Sequence, residues 1–250
     1  KVTFPEGFTL GQMAQRLGEE VQSVKESDFL AKTGDTSAEI SAVRSVYQPD
    51  ATTSLEGLLF PDTYLINGDQ TATQVAQQML KLMERVGRQE GLDDSLNVVG
   101  LSPYEVITIA SIIEREAKVA TDRSKIAQVI YNRLAKKMKL EIDASVKYGQ
   151  DPAMSWTDMK STDTPYNTYI NKGLPPTPIA NPGKASIQAA LAPFGSPPAS
   201  DSACTGLSVG EKCEYLYYVL ADEAGGHVFA TTYEQHLLNV EKSKSAGLLP

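Results

Sequence analysis

Residues 102–121 read Ser-Pro-Tyr-Glu-Val-Ile-Thr-Ile-Ala-Ser-Ile-Ile-Glu-Arg-Glu-Ala-Lys-Val-Ala-Thr. Ser102 as N-cap, Pro103 at the first helical position and Glu105 closing a capping box predict a helix start. At about 100° per residue, Ile109, Ile112, Ile113 and Ala120 share one face. Glu116 follows Ile112 and Ile113 by four and three residues, inside the same arc, whereas Glu114 and Arg115 project away from its centre. A carboxylate held against isoleucines loses solvation, which raises its pKa. A carboxyl still protonated near neutral pH is what a general acid requires. The plainer reading is a boundary residue whose stem is buried while its head reaches water.

Working outward, the chain of 250 residues is long enough for one core, or for a core with a smaller lobe. The net charge of −8 and a pI near 4.9 argue against a nucleic-acid partner, which would need a basic surface. The apolar run from Val106 to Ile113 is too short to span a bilayer. The opening Lys1-Val2-Thr3-Phe4 reads as a strand entered mid-protein, which predicts an excised portion of a longer chain.

Before the Glu116 helix, Thr9 and Gln12 form a capping box ahead of the stripe Leu10, Met13, Ala14 and Leu17. A short helix is expected from Ser27, and residues 34–53 are weakly patterned. Val75, Met79, Leu82, Met83 and Val86 predict an amphipathic helix over about 71–87, with Gly87 to Gly100 as connector. The boundary is expected there, giving an N-terminal lobe over 1–95 and a catalytic domain over 96–250.

After it, a helix is expected over about 122–138, with Ile126, Val129, Ile130 and Leu134 inward and its Lys and Arg mostly outward. Residues 150–183 are rich in proline and read as an extended ordered loop. Asn181-Pro182-Gly183 reads as the N-cap and first turn of a helix reaching Leu191. Tyr215 to Leu220 and His227 to Thr231 predict a hairpin joined through Gly225-Gly226, and Thr232 with Gln235 caps a final helix. The expected fold class is α+β: a helix-rich catalytic domain with a small antiparallel sheet, plus a smaller N-terminal α/β lobe.

Several chemistries have no motif here. The sequence lacks His-Glu-x-x-His, Gly-x-Ser-x-Gly, Ser-x-x-Lys and a Gly-rich phosphate loop. With His227 and His236 the only histidines, no metal site and no cofactor is expected. Cys204 and Cys213 lie nine residues apart in a polar stretch without zinc spacing. They read as a local disulfide, implying an oxidising compartment, or as two unrelated thiols.

What remains is acid chemistry beside an aromatic, hydroxyl-rich loop. Tyr166-Asn167-Thr168-Tyr169 offers the amides, hydroxyls and ring faces that sugars bind, and long ordered loops often carry function. Loop-anchoring packing is the alternative for the two tyrosines. Asp143 is either a second carboxylate at the site or the N-cap of the next turn, the cap being preferred. His227 either points into a cleft or makes a structural hydrogen bond.

The run Ala110-Ser111-Ile112-Ile113-Glu114-Arg115-Glu116-Ala117, with Ile130-Tyr131-Asn132-Arg133-Leu134, resembles the core motif of the endolytic murein transglycosylases, the YceG-like family. Further matches are Glu56-Gly57, Phe60-Pro61-Asp62-Thr63-Tyr64, Tyr166-Asn167-Thr168-Tyr169, Gly173-Leu174-Pro175-Pro176, Ile179-Ala180-Asn181-Pro182-Gly183, and Gly225-Gly226-His227 with Phe229. Together, in the family's order, they cover most of the chain.

The resemblance implies a membrane-anchored lyase that cuts peptidoglycan glycan strands internally, on the extracytoplasmic face of the cytoplasmic membrane. It implies glycan strands as substrate, cell-wall synthases as candidate partners, and a membrane tie only through an N-terminal anchor outside this sequence. The family's catalytic glutamate maps to Glu116. Glu114, Asp143, Tyr166, Asn167, Thr168, Tyr169 and His227 are the expected substrate-binding set. The sequence departs from the family where Asp143-Ala144-Ser145 replaces Asp-Pro-Thr, and where residues 196–213 read as an insertion. The expected reaction is lytic cleavage between N-acetylmuramic acid and N-acetylglucosamine, leaving a 1,6-anhydro end. The rivals are a conventional muramidase pairing Glu116 with Asp143 or Asp163, and a non-catalytic glycan-binding scaffold.

Overall fold

A computed structural model describes residues 1–34, 43–208 and 210–249. In chain order the elements are β1 (Val2–Thr3), α1 (Leu10–Glu20), α2 (Glu26–Thr33), β2 (Thr63–Tyr64) and α3 (Ala72–Glu90). Then come α4 (Ser95–Val99), α5 (Pro103–Glu116), α6 (Arg123–Ala135), α7 (Asp143–Lys147), α8 (Trp156–Ser161) and α9 (Lys184–Leu191). Last are β3 (Tyr217–Leu220), β4 (His227–Ala230) and α10 (Tyr233–Ser245). The fold is α+β and helix-rich, with two small antiparallel sheets: β1 with β2, and β3 with β4.

Contacts group the chain into two compact units that are discontinuous in sequence. One comprises Lys1–Arg115 with Pro175–Leu191, the other Glu116–Leu174 with Ala192–Pro250. A division after residue 95 follows chain order and falls inside the first of these.

In the first unit, local signals act as their chemistry dictates. Thr9 accepts from the Gln12 N–H, and the Gln12 side chain accepts from the Thr9 N–H in return. Thr71 and Gln74 cap α3 in the same way. Leu10, Met13, Ala14 and Leu17 are buried, as are Val75, Met79, Met83 and Val86, while Leu82 is only half-buried. Each fully buried Leu or Met contributes roughly 1.5–3 kcal/mol. The second helix starts at Glu26 rather than Ser27, with Lys25 at the cap. Of residues 34–53, Val43 and Tyr47 are buried, and 35–42 lie outside the described residues.

Two expectations for this unit are corrected. The stretch 87–100 is largely helical: α3 runs on to Glu90, and α4 occupies Ser95–Val99 between Gly91 and Gly100. The sequence lacks a clean apolar stripe there because the pieces are too short to show a period. Asn181 does not cap α9. It is buried, accepting from the Leu59 N–H and donating to Phe8 and to Glu56. The Gly183 N–H and the Ser186 hydroxyl at the start of α9 instead donate to Glu114 (3.0 and 2.8 Å).

The α5 helix begins as expected, with Ser102 and Glu105 hydrogen-bonded reciprocally. Its body is buried from Val106 through Ile113, not along one stripe alone. Ala120 lies outside the helix, exposed, in a separate 3-10 turn over Ala120–Asp122.

The second unit is built on α6, whose Ile126, Val129 and Ile130 are buried. Leu134 is half-buried, and Arg133 rather than Leu134 turns inward. The guanidinium is tolerated because its donors are matched. It donates to the carbonyls of Leu216 (2.6 Å), Lys139 and Leu140 (both 2.9 Å) and to the Glu141 carboxylate (3.0 Å). The 150–183 stretch is not wholly extended: Ser155 caps the short helix α8.

The hairpin pairs Tyr218 with Phe229 and Leu220 with His227. Gly225, in the connecting turn, has φ +90° and no room for a Cβ against the Lys118 side chain, so glycine is required there. Thr232 caps α10 by accepting from Gln235. Cys204 and Cys213 are joined by a disulfide. Among the described residues, no single helix is long and apolar enough to cross a membrane.

Candidate functional site

Glu116 is the last residue of α5, so its surroundings differ from those its sequence neighbours imply. Its carboxyl is buried, and two donors from distant segments reach it. The Ala144 N–H in the first turn of α7 donates to Oε1 (3.2 Å), and the Tyr218 phenol on β3 donates to Oε2 (3.1 Å). Glu116 and Tyr218 line a cavity of about 520 Å³ together with Asp143, Tyr169, Lys160, Glu141, Arg133, His227 and His236. Burial raises the pKa of Glu116 above the usual carboxylate range, and the Asp143 charge adds to this. The bonds from Ala144 and Tyr218 and the charge of His227 act the other way. A carboxylate at the negative end of a helix is also electrostatically disfavoured. The phenol of Tyr218 is pushed well above its ordinary value by burial and the Glu116 charge, so it stays a donor.

Asp143 lies beside Glu116 in this cavity, but it is not a cap. It occupies the first position of α7 behind Ile142, and its Oδ1 accepts from the Tyr169 phenol (2.7 Å). Tyr169 is raised by burial and by Asp143, and the Lys160 ammonium sits 4.0 Å from its ring centroid. His227 lies at the start of β4. Its backbone N–H (2.7 Å) and ring Nδ1 (3.0 Å) both engage Asp122 Oδ2, and its ring stands edge-on to Tyr218 at 5.3 Å.

The other expected binding residues are not on the cavity wall. Asn167 is fully buried, donating to the carbonyls of Lys160 (2.9 Å) and Thr162 (2.8 Å) and accepting from the Tyr169 N–H (3.0 Å). Thr168 is buried too, accepting from the Ile142 N–H and sharing a hydrogen bond with Ser145 (both 2.9 Å). Both act from behind: Asn167 shapes the turn that presents Tyr169, and Thr168 clamps the strand of chain that presents Asp143 and Ala144. Glu141 in that segment has φ +55°, a left-handed conformation held where its N–H meets the Thr168 carbonyl (3.2 Å). Tyr166 rests on Tyr148, ring centroids 4.7 Å apart. Glu114 does not line the cavity, and its carboxylate is engaged at the start of α9.

Sequence reasoning missed Tyr218, the Ala144 N–H, Asp122, Lys160 and Arg133. Tyr218 carried one usable signal, standing opposite the family-like Gly-Gly-His-x-Phe segment in a foreseeable hairpin. His236 was excluded from metal chemistry but lines the cavity, stacked on Tyr217 at 5.2 Å. Burial and the nearby Arg133 lower its pKa. Among the described residues, no group of three or more His, Cys, Asp and Glu is arranged to hold a metal ion.

The description of the YceG-like family matches residues 1–242. An endolytic murein transglycosylase of Bacillus subtilis (strain 168) is 34% identical over 97% of this chain and 64% of its own length. One from Streptococcus pneumoniae serotype 2 is 30% identical over 99% of this chain and 45% of its own length. The chain thus spans less than two thirds of the curated relatives it matches. A crystal structure of a YceG-like protein from Listeria monocytogenes superposes with a TM-score of 0.78 at 34% identity, covering 95% of this chain and 75% of the other. Family profile, relatives and fold agree, and the chain belongs to the YceG-like family.

Proposed function

We propose that this chain is the catalytic part of an endolytic peptidoglycan lytic transglycosylase. Its relatives carry that activity in their names, and a carboxyl poised for proton donation, Glu116, sits in a polar, sugar-sized cavity. The observation that carries the reading is the raised pKa of Glu116, between a phenol and a backbone N–H. In the proposed reaction, neutral Glu116 protonates the oxygen bridging N-acetylmuramic acid to N-acetylglucosamine, and that C–O bond breaks. The C6 hydroxyl of the muramic residue closes on C1, and its proton ends on the Glu116 carboxylate. The product carries a 1,6-anhydro ring, and no water is consumed. One carboxyl suffices because the substrate supplies its own nucleophile. The substituents of the sugar would meet Asp143, Tyr169 and Lys160.

The position of Asp143 in the same cavity favours a second reading, a hydrolase that uses it to activate water. Product mass separates the two, since hydrolysis adds one water to each cut. Mass spectrometry of muropeptides released from whole sacculi should find anhydro ends with the native protein and none with Glu116→Gln. Hydrated reducing ends alone would establish the hydrolase instead. The Cys204–Cys213 disulfide supports an extracytoplasmic setting, where such bonds persist. A membrane anchor elsewhere in the full-length protein and a cell-wall synthase partner fit that setting.

A further inference from the structure

His227 lines the proposed site with Asp122 hydrogen-bonded to it, yet the single-carboxyl scheme gives the pair no task. His227 Nδ1 and the backbone N–H of His227 both engage Asp122 Oδ2, at 3.0 and 2.7 Å, with the two side chains only 9% and 8% exposed. With Nδ1 donating to the carboxylate, the neutral imidazole carries its lone pair on Nε2. Nε2 has no hydrogen-bond partner among the described residues, and His227 lines the cavity that holds Glu116. A base within the site, oriented by a carboxylate behind it, is the arrangement that activates a hydroxyl nucleophile. Glu116 is less suited to that half of the work. It carries its proton at the start, and while it gives that proton to the leaving oxygen it cannot accept another from the attacking hydroxyl.

We propose that His227 is a catalytic residue: its Nε2 takes the proton from the substrate hydroxyl that attacks the anomeric carbon. This rests on the lytic reading above. As the hydroxyl oxygen bonds to C1, its proton passes to Nε2, while the C1–O bond to the leaving sugar breaks and that oxygen takes the Glu116 proton. Asp122 supplies the counter-charge for the imidazolium. The imidazolium then releases its proton through the cavity solvent to the Glu116 carboxylate, which restores both groups. Nothing is oxidised and nothing is left over.

The backbone N–H of residue 227 keeps its bond to Asp122 whatever the side chain, so substitutions there are compatible with the fold. His227→Gln can still hydrogen-bond a hydroxyl but cannot accept its proton. We expect kcat to fall ~100-fold or more, with KM within about threefold of the native value. His227→Ala should be equally slow, and free imidazole added to the assay should raise its rate about tenfold or more without accelerating the native protein. Asp122→Asn should slow the reaction by about tenfold or more, because the amide can donate to Nδ1 and turn a proton-bearing Nε2 toward the cavity. A His227→Gln enzyme within threefold of native kcat overturns the proposal. So does a loss confined to KM, or an alanine variant that imidazole does not rescue. If native protein forms anhydro ends, Glu116→Gln does not, and His227→Gln does so within threefold of the native rate, only this inference fails. If native protein forms none, the lytic reading itself has failed.

Discussion

Two carboxylates stand two residues apart at the end of α5, and the contrast between their surroundings separates framework from chemistry. Glu114 accepts from the Gly183 N–H and the Ser186 hydroxyl at the start of α9, where exposed N–H groups and the helix dipole favour an anion. Glu116 also accepts two hydrogen bonds, yet its pKa is raised, because burial and the Asp143 charge outweigh them. Counting hydrogen bonds does not distinguish the two. What does is the cavity: Glu116 faces it beside Asp143, and Glu114 does not line it.

The sharpest way to break this comparison is Glu116→Gln. Turnover should drop by ~100-fold or more, since the proton to be donated is gone. The fold should gain stability near neutral pH, and the sign follows from the direction of the shift. With the folded pKa raised, the folded state holds its proton more tightly than the unfolded one. Stability is therefore lost as pH rises from the unfolded pKa through the folded one. Glutamine carries no such penalty. Melting temperatures at neutral pH and at pH 4 check this: the variant's advantage should shrink in acid. Near-native activity would end the assignment of Glu116.

The direction of the Glu116 shift and its main cause, lost solvation, were legible in the sequence, but the partners of the carboxyl were not. The capping signals of α1, α5 and α10 could be read because they are local hydrogen-bond chemistry within three residues. Glu116 stood out because a charge three and four residues past buried isoleucines is anomalous. Its true partners, Ala144 and Tyr218, are 28 and 102 positions away, and Asp122 meets His227 across 105. Such separations follow from how helices and hairpin are connected, which periodicity does not encode. The binding loop was half legible for the same reason. Tyr, Asn and Thr mark it as special, but whether a polar side chain faces a cavity or its own backbone is decided by the turn it sits in.

A pair of substitutions around Glu116 should move its titration in opposite directions. Tyr218→Phe removes a hydrogen bond that lowers the pKa, and Asp143→Asn removes a charge that raises it. Because the acid must be protonated, activity falls as pH rises through its pKa. The alkaline limb of the pH–rate profile should shift upward in Tyr218→Phe and downward in Asp143→Asn. Shifts of the same sign in both variants would mean that another group governs that limb.

The same contrast runs through the loop. Tyr169 lines the cavity, whereas Asn167 is buried against its own backbone, so Asn167→Ala tests framework rather than binding. Three hydrogen bonds at about 1 kcal/mol each, with two carbonyls left unpaired, predict a loss of about 2–4 kcal/mol. At about 2–4 °C per kcal/mol for a chain of this size, the melting temperature should fall clearly. If stability is unchanged while cleavage collapses, Asn167 touches substrate after all.

Glu114→Gln should produce the smallest effect, and it closes the comparison from the other side. Glutamine keeps one carbonyl oxygen able to accept from Gly183 or Ser186, but it loses the negative charge at the start of α9. The charge-assisted share of two hydrogen bonds and the helix-terminus attraction together come to about 1 kcal/mol. A slightly lower melting temperature is expected, with kcat within about threefold of native and no displacement of the pH–rate profile. The unmoved profile is the decisive reading, because it separates a structural carboxylate from one coupled to proton transfer. Should Glu114→Gln cost as much activity as Glu116→Gln, or shift the alkaline limb, the acid would have been assigned to the wrong member of the pair.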